Sequence, residues 1–329
     1  MKIKIAITIG DAGGVGPEIA VKTALESDIV QICQPVLIGP ESVVKRAVDQ
    51  FTPNAEIKNI TDFEGEQKCI VFDDFSELQI ESYPDGISSA EAGLVAYKGV
   101  ELATKAVIAG KYDAIVTAPV SKESVNLAGI EFQGHTEFVA ELSGVEDFCM
   151  MQSDGPLRVN FVTCHIPINE VSDAISKERI LKCIELINDA AIADGVTQPK
   201  IAVAGVNPHA GEGGYMGKEE IETVIPAMKV AEQLGIKVEG PFPADTLFIE
   251  NTRTQFDGIV CMYHDQGHIP FKMLAFDRGV NSTLGLPIIR TSVDHGTAFN
   301  IAWQGKADIG SLIAAIKTAV NRVRKKRLT

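Results

Sequence analysis

Short apolar runs alternate with longer segments of helical periodicity from one end of the chain to the other. The apolar runs predict strands at residues 3–9, 35–38, 69–72, 114–117, 159–163, 201–204, 258–262 and 287–289. The periodic segments between them predict helices, including residues 17–26, 89–109, 177–193, 218–234 and 307–323. Regular alternation of strands and helices is typical of βαβ units, so the sequence predicts an α/β fold with a mainly parallel sheet.

Three of the predicted strands are followed within a few residues by a histidine, namely His165, His209 and His264. The chain has only 6 histidines, so three at equivalent positions form a pattern. In open α/β sheets, ligands bind beyond the carboxyl ends of the strands. Three imidazoles there predict a metal site with open coordination positions, which is the form of catalytic sites. Nitrogen ligands favour zinc, cobalt or nickel over magnesium.

Composition narrows the class of protein. The 329 residues suffice for two domains or one large α/β unit. The net charge of −14 argues against a nucleic-acid partner but leaves a small anionic substrate open. The 6 cysteines contain no C-x-x-C pair, which predicts buried free thiols and a cytoplasmic location. No apolar run approaches the length of a membrane span, and no signal peptide precedes the first strand.

A glycine-rich turn at residues 10–18 follows the first strand and opens a helix, a placement that invites phosphate binding. The dinucleotide fingerprint fails, however, because Ile19 stands where the third glycine belongs, and no Walker lysine is present. A tight β–α turn without a ligand is an equal alternative. Asp11, at the end of the strand, is an active-site candidate.

Two further segments carry polar groups at turns. His135 and Thr136 lie just before a helical run and could form an anion cradle or a simple helix cap. Pro208 restricts the backbone before His209, and the glycines after it allow close approach to a ligand. Asp245 adds a carboxylate in a Pro-flanked loop.

Residues 264–272 are the segment with the most candidate chemistry. His264 and His268 have the i,i+4 spacing that would let one helix present both to a metal. The glutamate of a zinc protease is missing, and Gly267 and Pro270 argue against a regular helix, so we reject that class. Asp265 is placed to fix the tautomer of an imidazole.

Three residues suited to recognising an anion follow, namely Lys272, Asn281 and Arg290. Lysine and arginine around one site suggest binding of phosphate or carboxylate. A pair of solvated surface cations is the alternative. Residues 291–300 then connect a strand to a helix and are dense in hydrogen-bonding groups.

Seven motifs occur in order along nearly the whole chain: ITIGDAGGVGPEI, TAPVSK, GHTEF, VNPHAGEGG, PADTLF, MYHDQG and GLPIIRTSVDHGTAF. Together they resemble the PdxA family of 4-hydroxythreonine-4-phosphate dehydrogenases. The resemblance implies that His165, His209 and His264 bind a divalent metal (zinc, cobalt or magnesium). It also implies substrate contacts from His135, Thr136, Lys272, Asn281 and Arg290.

The resemblance implies two α/β/α domains flanking a cleft, as in isocitrate and isopropylmalate dehydrogenases, rather than a standard Rossmann fold. We expect residues 1–130 with about 285–329 to form the first domain, and residues 131–284 to form the second. The family is homodimeric, with an active site at the subunit interface and one histidine ligand from the partner chain.

A nicotinamide cofactor, NAD or NADP, is also implied. The loop with His295, Gly296 and Thr297 resembles the nucleotide-binding H-G-S/T-A loop of those dehydrogenases. Asn300 belongs to the same candidate site, although it stands where the pattern leads us to expect aspartate.

The implied reaction oxidises a 4-phosphorylated 3-hydroxy acid to a β-keto acid, which decarboxylates to a three-carbon ketone phosphate. Lys272, Asp245 and Asp265 are the candidate bases. His268 and Trp303 look like a paralogous branch that acts on 4-phospho-D-threonate or 4-phospho-D-erythronate, a reading we slightly favour. A zinc hydrolase of a phosphorylated compound and a non-catalytic phosphometabolite sensor are the remote alternatives.

Overall fold

The computed structural model describes residues 2–63, 65, 69–75, 82–276 and 278–328. The chain forms two compact units. The first unit lies within Met1–Glu146 and Leu286–Leu328, and the second within Asp147–Gly285. The first boundary therefore lies later than residue 130, where the sequence led us to expect it.

The first unit is a parallel sheet with helices packed on it. Its strands are β1 (Lys4–Thr8), β2 (Gln34–Ile38), β3 (Ile57–Asn59), β4 (Ile70–Asp73), β5 (Ala114–Thr117) and β12 (Arg290–Val293). Its helices are α1 (Gly16–Ala24), α2 (Ser27–Ile32), α3 (Glu41–Phe51), α4 (Ala90–Ile108), α5 (Lys122–Leu127), α6 (His135–Leu142) and α13 (Gly310–Lys326). The strand order is β3-β4-β2-β1-β5-β12, with parallel neighbours throughout. Strands β2 and β5 are buried along their whole length, which explains their continuous apolar sequence.

The second unit has a mixed sheet. Its strands are β6 (Cys149–Asp154), β7 (Leu157–Phe161), β8 (Lys200–Ala204), β9 (Lys237–Phe242), β10 (Gly258–Cys261) and β11 (Val280–Leu284). Its helices are α7 (Val171–Ala174), α8 (Lys177–Ala193), α9 (Ile225–Gln233), α10 (Ala244–Leu247), α11 (Glu250–Arg253) and α12 (His264–Ala275). The order is β11-β6-β7-β10-β8-β9, and β6 runs antiparallel to both its neighbours. Strand β10 lies between β7 and β8 and is parallel to both.

Aromatic packing explains the later domain boundary. Phe138 of α6 stacks on Tyr97 of α4 with ring centroids 4.5 Å apart. Phe132 meets Phe138 edge-on at 5.8 Å, and both rings are buried in one apolar cluster of the first unit. The polar residues before α6 are therefore a connection within the first unit rather than a crossing between domains.

Helix α12 corrects one prediction, because residues 264–275 form a continuous helix despite Gly267 and Pro270. Gly267 lies where the helix comes closest to the sheet. A Cβ at this position would lie 2.7 Å from Cε1 of Phe161 and 2.9 Å from Sγ of Cys261. The glycine therefore permits the helix to pack against β7 and β10 instead of interrupting it.

Candidate active site

The three predicted metal ligands follow three adjacent strands of the second unit. His165 comes after β7, His264 after β10 and His209 after β8. Because these strands are parallel neighbours, the three histidine-bearing segments leave the sheet at the same edge.

His264 is the first residue of α12, and its ring is held by the next residue along the chain. Its Nδ1 lies 2.7 Å from Oδ1 of Asp265. This is the contact expected of Asp265, since a carboxylate on one ring nitrogen fixes the tautomer and leaves Nε2 for a metal.

The rings of His165 and His264 lie 5.9 Å apart between centroids. An imidazole that binds zinc at about 2.0–2.1 Å places its ring centre roughly 3 Å from the ion. Two rings on one ion are then separated by up to about 6 Å, so this pair fits a shared divalent ion.

His209 does not complete a site of three ligands with this pair. In the part of the chain that the structure describes, no group of three His, Cys, Asp or Glu side chains is arranged to hold a metal. His209 is exposed and adopts the left-handed backbone region, with φ 53°. The chain thus brings together two of the three predicted ligands.

His268 packs inside the protein behind His264, one of the two paired histidines. Its side chain is only 5% exposed and is stacked between Phe161 at 4.2 Å and His264 at 3.9 Å. Its Nδ1 is 3.2 Å from the His264 carbonyl oxygen, and its Nε2 is 3.3 Å from Nε2 of Gln152. Burial, and then the neighbouring His264, lowers the pKa of His268 to about 4, so the ring is neutral near pH 7. His268 therefore packs against the candidate ligand His264 and is not itself placed as one.

The loop that carries His209 has an unusual backbone. Residues 209–213 all have positive φ, including the non-glycine residues His209, Ala210 and Glu212. For such residues the left-handed region costs roughly 1–2 kcal/mol each, so neighbouring contacts must hold the loop in place. The buried Glu220 accepts hydrogen bonds from Val206 and Asn207, directly before this segment. Glu220 was not among the residues predicted from the sequence, because a glutamate at the start of a predicted helix is usually solvated.

The three candidate bases lie on two helices of the second unit, Lys272 and Asp265 on α12 and Asp245 on α10. Lys272 is on α12 at i+8 from His264, so both share one face of the helix. Asp265 is exposed but engaged with His264. Asp245 is exposed on α10, which packs against the 208–214 loop. Asn281, a predicted substrate contact on β11, donates from Nδ2 to Sδ of Met150 at 2.9 Å.

The first unit contains a second polar cluster, built around Arg290. This arginine is buried on β12 and donates from Nη2 to Oγ1 of Thr117 at 2.8 Å. Burial lowers its pKa to about 10, while Glu137 acts in the opposite direction, so Arg290 stays charged near pH 7.

His135 and Thr136 open α6 in the same unit. Burial, and then the charge of Arg290, lowers the pKa of His135 to about 3, which keeps the ring neutral. In the described part of the chain, Nε2 of His135 has no hydrogen-bond partner. A buried cation beside an imidazole at a helix N-terminus is suited to an anion such as phosphate.

The glycine-rich turn and the His295 loop lie against each other in the first unit. The amide of Val15 donates to the carbonyl oxygen of Thr297 at 3.0 Å, and a Cβ on Gly14 would lie 3.0 Å from that oxygen. His295 and Asn300 are exposed on the same loop as Gly296. Two segments that the sequence singled out separately therefore form one surface.

Among the described residues, no helix combines the length and the apolar composition that crossing a membrane requires.

Solved structures share this architecture. A 4-hydroxythreonine-4-phosphate dehydrogenase from Klebsiella pneumoniae matches with a TM-score of 0.87 and 39% identity, over 98% of each chain. Isocitrate dehydrogenase from Methylococcus capsulatus shares the fold with a TM-score of 0.50 and 14% identity, over 99% of this chain and 88% of that one. The predicted fold class is confirmed, and the chain is an α/β dehydrogenase acting on a CH–OH group.

The model of the family described as pyridoxal phosphate biosynthetic protein PdxA matches residues 31–319, and the chain belongs to this family. It is 44% identical to the 4-hydroxythreonine-4-phosphate dehydrogenase of Desulforapulum autotrophicum, over 96% of this chain and 94% of the relative. It is 43% identical to the D-threonate 4-phosphate dehydrogenase of Salmonella typhimurium, over 96% of this chain and 98% of the relative. The family resemblance of the motifs is confirmed, and identity favours neither branch.

Proposed function

We propose that this protein uses NAD⁺ or NADP⁺ and a divalent metal to oxidise a 4-phosphorylated 3-hydroxy acid. The product is a β-keto acid, which loses CO₂ to give a three-carbon ketone phosphate. The observation that carries the proposal is the pair His165 and His264, 5.9 Å apart at the carboxyl ends of adjacent parallel strands, with Asp265 fixing the second ring. A site of this kind can bind and polarise a substrate hydroxyl.

His165 and His264 would hold the metal, with His209 as the third ligand. When bound, the metal would act as a Lewis acid on the substrate hydroxyl. A base of this chain would accept the hydroxyl proton, and the nicotinamide, when bound, would supply the acceptor for the hydride of the substrate carbon. We favour Lys272 as the base over Asp245, because it shares the helix face of His264, and over Asp265, whose carboxylate already fixes His264.

The phosphate group would be bound by His135, Thr136 and Arg290, with Lys272 and Asn281 as the further substrate contacts. The charge of the buried Arg290 supports this assignment, since a desolvated guanidinium gains most from an anion. We assign His295, Gly296, Thr297 and Asn300 to the cofactor, next to the glycine-rich turn.

We also propose that the protein works as a homodimer in which one of the three histidine ligands of each metal comes from the partner chain. Large apolar side chains are exposed on the same segments of the second unit that carry the three histidines. They include Ile168 at 71%, Tyr215 at 93% and Met273 at 83% exposure. Exposed apolar groups on the segments that carry a site can form an interaction surface, and a second copy of the chain would cover them. Sedimentation should give a dimer for the wild type and a monomer with weakened metal binding for Met273→Asp. A monomeric wild type would refute this part.

The slight preference for the paralogous branch rests on sequence detail. His268 is buried behind His264, so it would influence the substrate through the metal ligand rather than by direct contact. NADH formation should be compared for 4-phosphohydroxy-L-threonine, 4-phospho-D-threonate and 4-phospho-D-erythronate. Faster turnover of the amino acid would reject the paralogous branch.

His209→Ala provides the test of the metal-centred proposal. We expect it to lose turnover and bind Co²⁺ at least about 10-fold more weakly while keeping its fold, because it removes one imidazole ligand. Glu212→Ala is the matched control, since Glu212 lies in the same loop with the same left-handed backbone. Full NADH production by a folded, metal-free His209→Ala protein would reject the proposal. Reduction of NAD⁺ also separates this function from a zinc hydrolase or a sensor, neither of which would produce NADH.

A further inference from the structure

Glu220 lies at the start of a π-helical turn, Glu220–Val224, and its carboxylate is buried beneath the His209 loop. Its Oε1 accepts hydrogen bonds from the backbone amides of Val206 at 2.8 Å and Asn207 at 2.7 Å. Its Oε2 accepts from Nδ2 of Asn207 at 3.0 Å. A buried carboxylate with three donors from the residues just before His209 fixes the point where the loop leaves β8.

The loop also encloses this carboxylate from the other side. A Cβ on Gly211 would lie 2.5 Å from Oε2 of Glu220, and a Cβ on Gly205 would lie 3.1 Å from Oε1. Glycine at both positions lets the backbone pass directly over the carboxylate. The neighbouring carboxylate of Glu219 accepts a hydrogen bond from the same side-chain Nδ2 of Asn207 at 2.7 Å. It also accepts one from the hydroxyl of Ser172.

These contacts lie on both sides of His209 along the chain, at Val206 and Asn207 before it and at Gly211 after it. The residues from His209 to Gly213 adopt a left-handed turn that non-glycine residues disfavour. Within the described part of the chain, the hydrogen bonds of Glu220 go to Val206 and Asn207 and not to the imidazole, so its action is on the loop. A single π-helical turn is a common feature of functional sites, and here it presents the carboxylate to the loop.

We propose that Glu220 is a positioning residue that holds His209 in the orientation needed to bind the metal. The proposal rests on the function proposed above, in which His209 is a ligand. It requires that loss of the carboxylate weakens metal binding while the rest of the fold, including the cofactor surface of the first unit, is retained.

Co²⁺ titration by calorimetry on the full chain tests this proposal. Glu220→Gln keeps the size of the side chain but replaces one acceptor by an amide donor that would face the Asn207 side chain. We expect Co²⁺ to bind about 10- to 100-fold more weakly, as is typical when a group supporting a ligand is changed. The KM for the nicotinamide cofactor should not change. Glu222→Gln, an exposed residue in the same helical turn, is the control and should match the wild type.

A pair of glycine variants tests the same contact from the loop. Gly211→Ala and Gly213→Ala each place alanine at positive φ, 76° and 67°. Only Gly211 faces Glu220, whereas a Cβ on Gly213 meets no atom within 4 Å. Gly211→Ala should therefore weaken Co²⁺ binding more than Gly213→Ala does. This comparison decides the question if Glu220→Gln does not fold.

The outcomes separate the two proposals. If His209→Ala weakens Co²⁺ binding but a folded Glu220→Gln protein binds it like the wild type, the role of Glu220 is rejected and the proposed function stands. Equal Co²⁺ affinities for Gly211→Ala and Gly213→Ala would reject it as well. If His209→Ala itself leaves Co²⁺ affinity unchanged, the proposed metal site is wrong.

Discussion

Replacing Gly267 by alanine tests whether the close packing of α12 determines the position of the histidine site. A Cβ there would lie 2.7 Å from Cε1 of Phe161, 2.8 Å from Cγ1 of Val159 and 2.9 Å from Sγ of Cys261. Real Cβ contacts are not this short, so either the helix or the strand side chains must move. Phe161 is fully buried and stacks on His268, so its movement would also displace His268.

Two opposing effects set the magnitude. Alanine is favoured over glycine inside a helix by about 1 kcal/mol. Overpacking a buried site typically costs about 1–3 kcal/mol. With three contacts below 3.0 Å, we expect overpacking to dominate and Gly267→Ala to destabilise the protein by about 1–2 kcal/mol.

Gly99 in α4 is a matched control. A Cβ there would have its nearest neighbours at 3.6 and 3.9 Å, which are ordinary contacts. Gly99→Ala should therefore gain the helix preference without a clash and stabilise the protein by up to about 1 kcal/mol.

Urea unfolding followed by circular dichroism measures both changes, and amide hydrogen exchange within each helix assigns them to α12 or α4. Gly267→Ala should also bind Co²⁺ more weakly, because His264 is the first residue of the displaced helix. A Gly267→Ala protein that is as stable as the wild type and binds Co²⁺ equally well would refute the reasoning.

Three further predictions follow from individual side chains. Asp265→Asn should weaken Co²⁺ binding about 10- to 100-fold, since the carboxylate on Nδ1 of His264 is lost, and unchanged affinity by calorimetry would contradict this. The pKa of His135 falls from 6.5 to about 3 on folding, so the unfolded chain takes up the proton first, and stability present above pH 6.5 is lost as the pH falls towards 3. His135→Gln should lose less stability between pH 7 and 4 in urea unfolding, and equal losses would contradict the assignment. Burial raises the pKa of Asp11 above 3.8, so its contribution becomes less favourable as the pH rises. The free energy of unfolding of Asp11→Asn, relative to that of the wild type, should therefore be higher at pH 7 than at pH 4, and the same unfolding series would show this.

The regular elements that are buried on one or both faces were predictable from the sequence. Helix α8 at Lys177–Ala193 and strand β5 at Ala114–Thr117 have the predicted bounds, because their apolar periodicity follows directly from burial. Strands β6 and β11 were missed, since buried positions in them carry polar residues such as Gln152 and Ser282. The strand predicted at residues 287–289 begins instead at Arg290. A charged residue is not expected in a buried strand, so the sequence pattern did not include Arg290.

Some contacts of the candidate site could likewise be predicted from the sequence, and others could not. The contact between His264 and Asp265 was predictable because the two residues are adjacent in the chain. The burial of His268 against Phe161 was not, because that packing depends on the position of α12 over β7. Glu220 could not be found from the motifs, since it lies outside them and its carboxylate accepts hydrogen bonds from backbone amides 13 and 14 residues earlier in the chain.

The strand order of the second unit has a consequence for how the site is assembled during folding. Strand β10 inserts between β7 and β8, although it follows both along the chain. The hydroxyl of Thr163 donates to the carbonyl of Met262, 99 residues later, and Nε2 of Gln266 donates to the carbonyl of Gly205, 61 residues earlier. Until β10 is synthesised and inserted, the segments with His165 and His209 lack the strand that lies between them. The proposed metal site should therefore form late in folding, only once the sheet is complete. A chain that ends before residue 258 should bind no metal.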